Sequence, residues 1–208
     1  MKVVTVLKTG GDFDAEYVER IRHSVKKHLS YPHQFICMTD DPDLENKMGS
    51  FLLTDDWPGW WSKMEMYRLE PPFLYIDLDC IIKGPLEPLL EPALDRPFVC
   101  IKPVFQKRKG AIASGLMWVN TPVRWVYEKF KDCPEHWMEF TRKTATPSWN
   151  FGDQRCLELL GMIPDAYWQD IAPKEFAHYK TATPEQIEKA SLVMFSGYPR
   201  PRDINWEI

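Results

Sequence analysis

Short apolar runs alternate along the chain with amphipathic segments, and this alternation predicts strands and helices in turn. Lys2 to Lys8 is a β-branched apolar run that stops at Gly10-Gly11, which predicts a first strand. From Ala15 to Leu29 apolar residues recur at helical spacing, so we predict a helix. Gln34 to Thr39 predicts a second strand. A strand, a helix and a strand in this order form a right-handed crossover, so the pattern predicts an α/β fold with a parallel sheet.

The remaining predicted elements continue the same alternation. The clearest is a strand at Phe73 to Ile76, which lies between Pro71-Pro72 and Asp77-Leu78-Asp79. A turn is expected at Cys133-Pro134, with a polar loop through Thr146-Pro147. Further strands are predicted at Ser50 to Thr54, Pro97 to Val104, Gly115 to Asn120 and Leu192 to Phe195, and further helices at Ser62 to Leu69, Pro122 to Lys131, Gly152 to Leu160 and Pro184 to Ala190. We see no repeat or linker, so we expect one α/β domain over residues 1–208, with a mostly parallel central sheet and an irregular C-terminal lobe.

Composition places the chain among ordinary globular proteins. Its 208 residues include 26 Lys plus Arg and 30 Asp plus Glu, and the formal net charge is −4. The acidic balance and the lack of a long basic run argue against a nucleic-acid partner. The five cysteines are scattered without a C-x-x-C pair, which predicts reduced thiols. No apolar stretch approaches the roughly 20 residues of a membrane-spanning helix. We therefore expect a cytoplasmic protein with no transmembrane segment, whose contact with membranes is at most peripheral.

Two carboxylates follow the predicted strand Phe73 to Ile76, one residue apart, at Asp77 and Asp79. Open α/β sheets bind ligands at the carboxyl ends of their strands. Residues i and i+2 share a side in extended structure, so both carboxylates can reach one divalent cation, directly or through water. Their oxygens suit Mg²⁺ or Mn²⁺. The alternative is a turn with two solvated aspartates.

Other candidate chemistry is weaker. Neither a dinucleotide-binding G-x-G-x-x-G nor a P-loop is present. The segment Trp57-Pro58-Gly59-Trp60-Trp61 carries three Trp before a predicted helix, and such aromatics either stack on sugars or bases or pack in the core, which we favour for the group. A basic loop lies at Gln106 to Gly110. The five histidines form no pattern of metal ligands or of a catalytic triad, so we assign them no role.

Four segments resemble nucleotide-sugar glycosyltransferases of the GT-A fold. Asp77-Leu78-Asp79 after its apolar strand resembles their D-x-D. Ala113 to Asn120 resembles the strand and turn that carry donor-sugar contacts in glycosyltransferase family 8. Asn150 to Gln154 resembles the Asp-Gln that opens a helix beneath the sugar, and Phe195 to Pro201 resembles the C-terminal H-F-x-G-x-x-K-P that closes over the diphosphate. The segments occur in the family's order.

The resemblance implies a GT-A fold, which is Rossmann-like, and roles for particular residues. Asp77 and Asp79 would be the metal ligands, and Asp153 and Gln154 the candidate catalytic residues that orient the sugar. Contacts with the donor nucleotide sugar are implied for Leu7, Thr9, Gly10, Asp40, Lys63, Asp77, Ser114, Gly115, Gly197 and Arg200. For four of these positions an alternative without a role in the site stays open. Thr9 and Asp40 are equally well explained as ordinary loop residues, and Lys63 and Arg200 as solvated side chains.

Two positions depart from the family. Met194 stands where the family has a metal-binding histidine, and a thioether suits neither Mn²⁺ nor Mg²⁺. The third ligand is therefore open to water, to diphosphate oxygens or to another side chain. Arg200 stands where the family has lysine, which keeps the charge and allows bidentate contact with phosphate oxygens. Arg202 is a less certain helper.

The leading hypothesis is a glycosyltransferase dependent on Mn²⁺ or Mg²⁺. It would move a sugar from a nucleoside diphosphate, with UDP expected, to a hydroxyl of a glycan, lipid-linked or protein acceptor, and the resemblance implies retention. One alternative is a haloacid-dehalogenase-like phosphatase, although its D-x-D usually follows the first strand and Asp77 follows several elements. The other is a noncatalytic nucleotide- or sugar-binding domain, for which Met194 would signal lost catalysis.

Overall fold

The computed structural model describes residues 1–44, 51–104, 110–145 and 151–204. Its strands are β1 (Lys2–Leu7), β2 (Gln34–Thr39), β3 (Phe51–Leu52), β4 (Phe73–Ile76), β5 (Cys80–Ile82), β6 (Phe98–Ile101), β7 (Ala113–Val119), β8 (Ala166–Tyr167), β9 (Phe176–His178) and β10 (Leu192–Met194). Its α-helices are α1 (Ala15–His28), α2 (Glu87–Leu90), α3 (Arg124–Asp132), α4 (Pro134–Lys143), α5 (Asp153–Leu160), α6 (Trp168–Ile171) and α7 (Pro184–Lys189). Three 3₁₀ segments cover Gly59–Arg68, Glu91–Ala93 and Pro201–Ile204.

A seven-stranded sheet in the order β3-β2-β1-β4-β7-β6-β8 forms the centre of the fold. β1 pairs in parallel with β2 and with β4, as the crossover pattern predicts. β7 pairs antiparallel with both β4 and β6, and β8 pairs in parallel with β6. The sheet is therefore mostly parallel, and the predicted α/β class is confirmed. A second sheet of three strands has the order β5-β10-β9.

The central strand β4 is buried on both faces, which explains its continuous apolar run. Phe73 and Tyr75 point into one core cluster, and Leu74 and Ile76 into another, because successive side chains alternate across a strand. All four side chains are fully buried. The carboxyl end of β4 is thereby held rigidly between two packed layers.

Helix α1 covers one of these layers, and its ends follow from the sequence. The Asp14 side chain accepts a hydrogen bond from the Glu16 NH and caps the start of the helix. Lys26, Lys27 and His28 lie in the last turn, where basic side chains oppose the negative end of the helix dipole. None of the described helices combines the length and apolar character needed to cross a membrane.

The structure corrects several expected elements. The polar loop expected after Cys133-Pro134 is wrong over residues 134–143, because α4 begins at Pro134 and continues to Lys143. The chain does break at Cys133, which lies between the end of α3 and the start of α4. Proline is well tolerated in the first turn of a helix, where its missing NH has no intrahelical partner. The predicted helix Ser62 to Leu69 is a 3₁₀ segment that begins earlier, at Gly59. The expected loop Thr146-Pro147, most of the basic loop Gln106 to Gly110, and Asn150 lie outside the described residues.

Candidate active site

The turn Asp77-Leu78-Asp79 joins the two sheets. The Asp77 NH donates to the Gly115 carbonyl oxygen at 2.9 Å, which fixes the end of β4 against β7. The chain then enters β5, which pairs antiparallel with β10. The Phe195 NH donates to the Asp79 carbonyl oxygen at 3.0 Å. Both carboxylates therefore lie at the junction between the seven-stranded sheet and the three-stranded sheet, near the end of β10.

Lys63, from the first 3₁₀ segment, is paired with Asp77. Its Nζ lies 2.6 Å from Asp77 Oδ2 and 4.0 Å from Asp153 Oδ2, and its side chain is only 13% exposed. Asp77 Oδ1 accepts hydrogen bonds from the Leu78 NH at 3.0 Å and from the Tyr75 hydroxyl at 3.3 Å. Burial alone lowers the pKa of Lys63, but the Asp77 and Asp153 carboxylates together raise it above its ordinary value. Lys63 is thus a largely buried cation, unlike the solvated lysine that was the alternative.

Asp79 is buried and is paired with Arg200. Arg200 Nη1 lies 3.3 Å from Asp79 Oδ2, and Nη2 lies 2.7 Å from Asp12 Oδ2. The guanidinium also lies over the Phe13 ring, 4.7 Å from its centroid. Burial and the neighbouring Asp77 raise the pKa of Asp79 above its ordinary value. The ionised form of Asp79 is therefore disfavoured, and a further cation beside it would stabilise that form.

Helix α5 places Asp153 at its first residue. Gly152, just before it, has φ +104°, and a Cβ there would lie 2.8 Å from Trp60 Nε1, so the position requires glycine. Asp153 is buried and accepts a hydrogen bond from Ser114 Oγ at 2.5 Å. A carboxylate in the first turn of a helix is also favoured by the helix dipole. Gln154 follows it on the same cavity wall.

A cavity of about 320 Å³, here called the junction cavity, opens between these groups. Its walls bring together residues from five separate segments of the sequence, and the predicted residues among them are Lys63, Asp77, Asp79, Ser114, Gly115, Asp153 and Gln154. The other described wall residues are Trp60, Ala113, Phe151, Met194, Phe195 and Ser196.

The predicted contacts in the N-terminal loop form a separate group. The Thr9 NH and hydroxyl donate to the Asp40 carboxylate at 2.8 and 2.9 Å, and Lys8 Nζ lies 3.0 Å from Asp40 Oδ2. Leu7 is buried in the core, with only 2% of the residue exposed. Gly10 has φ +83° and open space around it. None of these residues is among the described walls of the junction cavity, so their contacts with a donor stay predictions.

The C-terminal segment contacts the site through the side chains of Arg200 and Met194. Arg200 bridges Asp79 to Asp12, so it connects the D-x-D to the loop that follows β1. Gly197 has φ +69°, a conformation that favours glycine at this turn. Met194 faces Gly115 so closely that a Cβ at position 115 would collide with its Sδ. The thioether thus lines the cavity at the place where the family's histidine was expected.

The three clustered tryptophans divide between core and site. Trp57 and Trp61 are buried and pack on Phe130, as expected for the group. Trp60 is 50% exposed, lines the junction cavity and lies near Phe151, with 5.8 Å between the ring centroids. The Trp-rich segment signalled such a surface, but the pattern of residues did not show which indole it was.

No protein-family model matches the chain, and no curated protein matches it. Solved structures of glycosyltransferases do match. The galactosyltransferase LgtC in complex with donor and acceptor sugar analogues has a TM-score of 0.62 at 11% identity, with coverage of 97% of this chain and 89% of that chain. An active-site mutant of LgtC has a TM-score of 0.67 at 13% identity and the same coverage. GlyE of Streptococcus pneumoniae TIGR4 has a TM-score of 0.60 at 16% identity, with coverage of 96% of this chain.

These comparisons establish the class of fold. The chain has the fold of these glycosyltransferases, so the expected GT-A architecture is confirmed. It spans 89% of the LgtC chain but only 55% of the GlyE chain.

Proposed function

We propose that this protein is a glycosyltransferase that moves a sugar from a nucleoside diphosphate to an acceptor hydroxyl. The observation that carries the proposal is the junction cavity at the carboxyl end of β4, where Lys63 faces Asp77 and Asp153 and where Asp79 is paired with Arg200. Ligands of open α/β sheets bind at that end. The fold shared with LgtC and GlyE supports the same class of reaction.

The carboxylates fit a divalent cation such as Mn²⁺ or Mg²⁺. Asp77 and Asp79 would supply hard oxygen ligands, and a bound cation would stabilise the ionised form of Asp79, which burial and Asp77 disfavour. Among the described residues no group of three or more His, Cys, Asp and Glu side chains is arranged to hold a metal. Mg²⁺ commonly binds through one or two carboxylates together with phosphate and water, so two are sufficient. When bound, the cation would stabilise negative charge on the diphosphate.

The side chains have distinct roles in the proposed reaction. The bond from the anomeric carbon to the diphosphate oxygen breaks, a bond to the acceptor oxygen forms, and the acceptor proton passes to the departing diphosphate. Lys63 and Arg200 stabilise the charge that develops on that leaving group. Asp153, held by Ser114, and Gln154 orient the sugar from the start of α5. We propose UDP as the nucleoside diphosphate and retention as the stereochemical outcome, on the resemblance to family 8.

Met194 supports one alternative, a domain that binds nucleotide sugars without turnover. Its thioether lines the junction cavity at the position where the family has a metal-binding histidine. Nucleotide binding without release of nucleoside diphosphate from any nucleotide sugar would favour this alternative over the enzyme.

The proposal is tested by thermal unfolding with UDP, GDP, CDP or phosphate, each with Mn²⁺, Mg²⁺ or chelator. A ligand at 100 times its Kd stabilises the native state by about 2.7 kcal/mol, which raises Tm by about 5–11 °C for a chain of this size. We expect that rise with one nucleoside diphosphate and metal, and its loss in Asp79→Asn. The amide should fold, because burial and Asp77 already favour the neutral form of Asp79.

Asp132→Asn, which changes an exposed carboxylate at the end of α3, is the matched control and should keep the full rise. The absence of stabilisation by every nucleotide, in a folded sample, would overturn the proposal. Stabilisation by phosphate alone, followed by phosphatase activity, would favour the phosphatase alternative.

A further inference from the structure

Residues 197–204, here called the C-terminal strap, are tied to the D-x-D through one side chain. Arg200 lies between two carboxylates, with Nη1 3.3 Å from Asp79 Oδ2 and Nη2 2.7 Å from Asp12 Oδ2. The Arg200 and Asp79 side chains are only 14% and 10% exposed, whereas the Asp12 side chain is 44% exposed. The contact with Asp79 is therefore the more buried of the two, and it holds the strap against a candidate metal ligand.

Contacts other than the one with Asp79 also hold Arg200. The guanidinium lies 4.7 Å from the centroid of the Phe13 ring and 5.5 Å from that of the Tyr198 ring. The Arg200 NH donates to Asp203 Oδ2 at 2.7 Å, which fixes the backbone of the strap. In the part of the chain that the structure describes, Arg200 Nε is buried without a hydrogen-bond partner. The guanidinium can therefore leave Asp79, stay at the edge of the site and donate to another acceptor.

Arg200 and a divalent cation require the same carboxylate. Mg²⁺ binds carboxylate oxygens at about 2.0–2.1 Å, so a cation on Asp79 would lie directly beside the guanidinium. Because both side chains are largely buried, the two positive charges would repel each other through a medium of low dielectric constant. Arg200 is the counter-ion of Asp79 in this structure, and a cation that binds Asp79 has to take its place.

We propose that Arg200 is an internal counter-ion that a divalent cation displaces from Asp79, so that the cation releases the C-terminal strap and frees the guanidinium for the diphosphate. The strap is closed by Asp79 at first, opens when the cation binds, and closes again on the diphosphate. This inference rests on the proposed glycosyltransferase function. It goes beyond the role of Arg200 as a phosphate ligand, because Arg200 then opposes metal binding before the donor arrives.

The first test is calorimetric titration of Mn²⁺ in the absence of nucleotide. We expect Arg200→Met to bind Mn²⁺ about tenfold more tightly than wild type, because Asp79 no longer has a counter-ion. Arg202→Met removes the strap cation whose Nη1 donates to the Asp12 carbonyl oxygen, so it is the matched control and should bind Mn²⁺ close to wild type. Unchanged or weaker binding by a folded Arg200→Met, or equally tighter binding by both variants, would overturn the inference.

The second test uses hydrogen exchange of wild type and needs no variant. Bound ligands usually lower exchange, but here Mg²⁺ alone should raise the exchange of peptides that cover the C-terminal strap, relative to chelator. Mg²⁺ together with UDP, GDP or CDP should lower it again. Lower or unchanged exchange with Mg²⁺ alone would overturn the inference.

The two tests also separate this inference from the proposed function. Nucleotide binding with unchanged Mn²⁺ affinity in Arg200→Met would overturn the inference and leave the donor site in place. Tighter Mn²⁺ binding by Arg200→Met, without binding of any nucleoside diphosphate to wild type, would instead contradict the donor assignment and leave Arg200 as a counter-ion that a cation displaces.

Discussion

Replacing Lys63 by methionine removes the cation that faces Asp77 and Asp153 while keeping a side chain of similar length. At 2.6 Å and an effective dielectric constant of about 20, the pair with Asp77 has a gross Coulomb energy of about 6 kcal/mol. Desolvation offsets much of it, and removing one partner of a buried pair typically costs about 3–5 kcal/mol. For a chain of this size that loss lowers Tm by at least about 6 °C. We therefore expect Lys63→Met to be strongly destabilised in the presence of a chelator.

The assay is urea unfolding of wild type and Lys63→Met, each with chelator or with Mn²⁺. Because the variant leaves carboxylates without their cation, Mn²⁺ should stabilise it more than it stabilises wild type. The double variant Lys63→Met/Asp77→Asn should recover part of the loss, since it removes the unpaired charge. Lys143→Met, which breaks an exposed ion pair with Glu139, is the matched control and should unfold close to wild type.

Two results would refute this reasoning. A cost for Lys63→Met no larger than that for Lys143→Met would show that Lys63 does not compensate buried carboxylates. Equal stabilisation of wild type and variant by Mn²⁺ would show that the charge of the cluster does not govern its affinity for cations.

Three further predictions concern other contacts of the site. Met194→His should tighten Mn²⁺ binding about tenfold, which is about 1.4 kcal/mol, because imidazole replaces a thioether beside Asp79. Calorimetric titration measures this affinity, and unchanged binding would place position 194 outside the metal shell. Gly115→Ala should cost about 1–3 kcal/mol in urea unfolding, because its Cβ meets Met194 Sδ. The same substitution should cost less in a Met194→Ala background, and an equal cost in both backgrounds would refute the collision. Burial raises the pKa of Asp40, but its contacts with Thr9 and Lys8 outweigh burial and hold that pKa below its ordinary value. The stability that Asp40 adds is therefore present at neutral pH and is lost as the pH falls below about 4. The difference in Tm between wild type and Asp40→Asn should shrink over that pH range, and a difference that stays constant would contradict the prediction.

The elements that sequence predicted well are those whose apolar pattern is continuous. β1, β2 and β4 match their predicted runs within a residue, because each is a buried strand of the central sheet. β5 and β9 were not predicted, since three residues are too few to show a period. These two strands form the second sheet with β10, so the sequence did not reveal the junction at which the D-x-D lies.

The sequence likewise predicted some residues of the candidate site and missed others. The pattern of the sequence itself predicted Asp77 and Asp79, and the resemblance to family 8 added Lys63 and Asp153. The structure brings Lys63 within 4.0 Å of both Asp77 and Asp153. Trp60 was missed, because its place in the cavity wall depends on partners distant in sequence. Trp60 lies near Phe151 only because the chain folds the two segments together, and no local motif encodes that contact.

The central claim, transfer from a nucleoside diphosphate sugar, is tested most directly by nucleotide release. Wild-type protein and Asp79→Asn are each incubated with UDP-, GDP- and CDP-sugars, with Mn²⁺, Mg²⁺ or chelator, and free nucleoside diphosphate is measured. We predict release from one nucleotide sugar by wild type with metal, and its loss with chelator and in Asp79→Asn. A folded wild-type protein that releases nucleoside diphosphate from none of these donors, with or without added glycoside acceptors, would contradict the account.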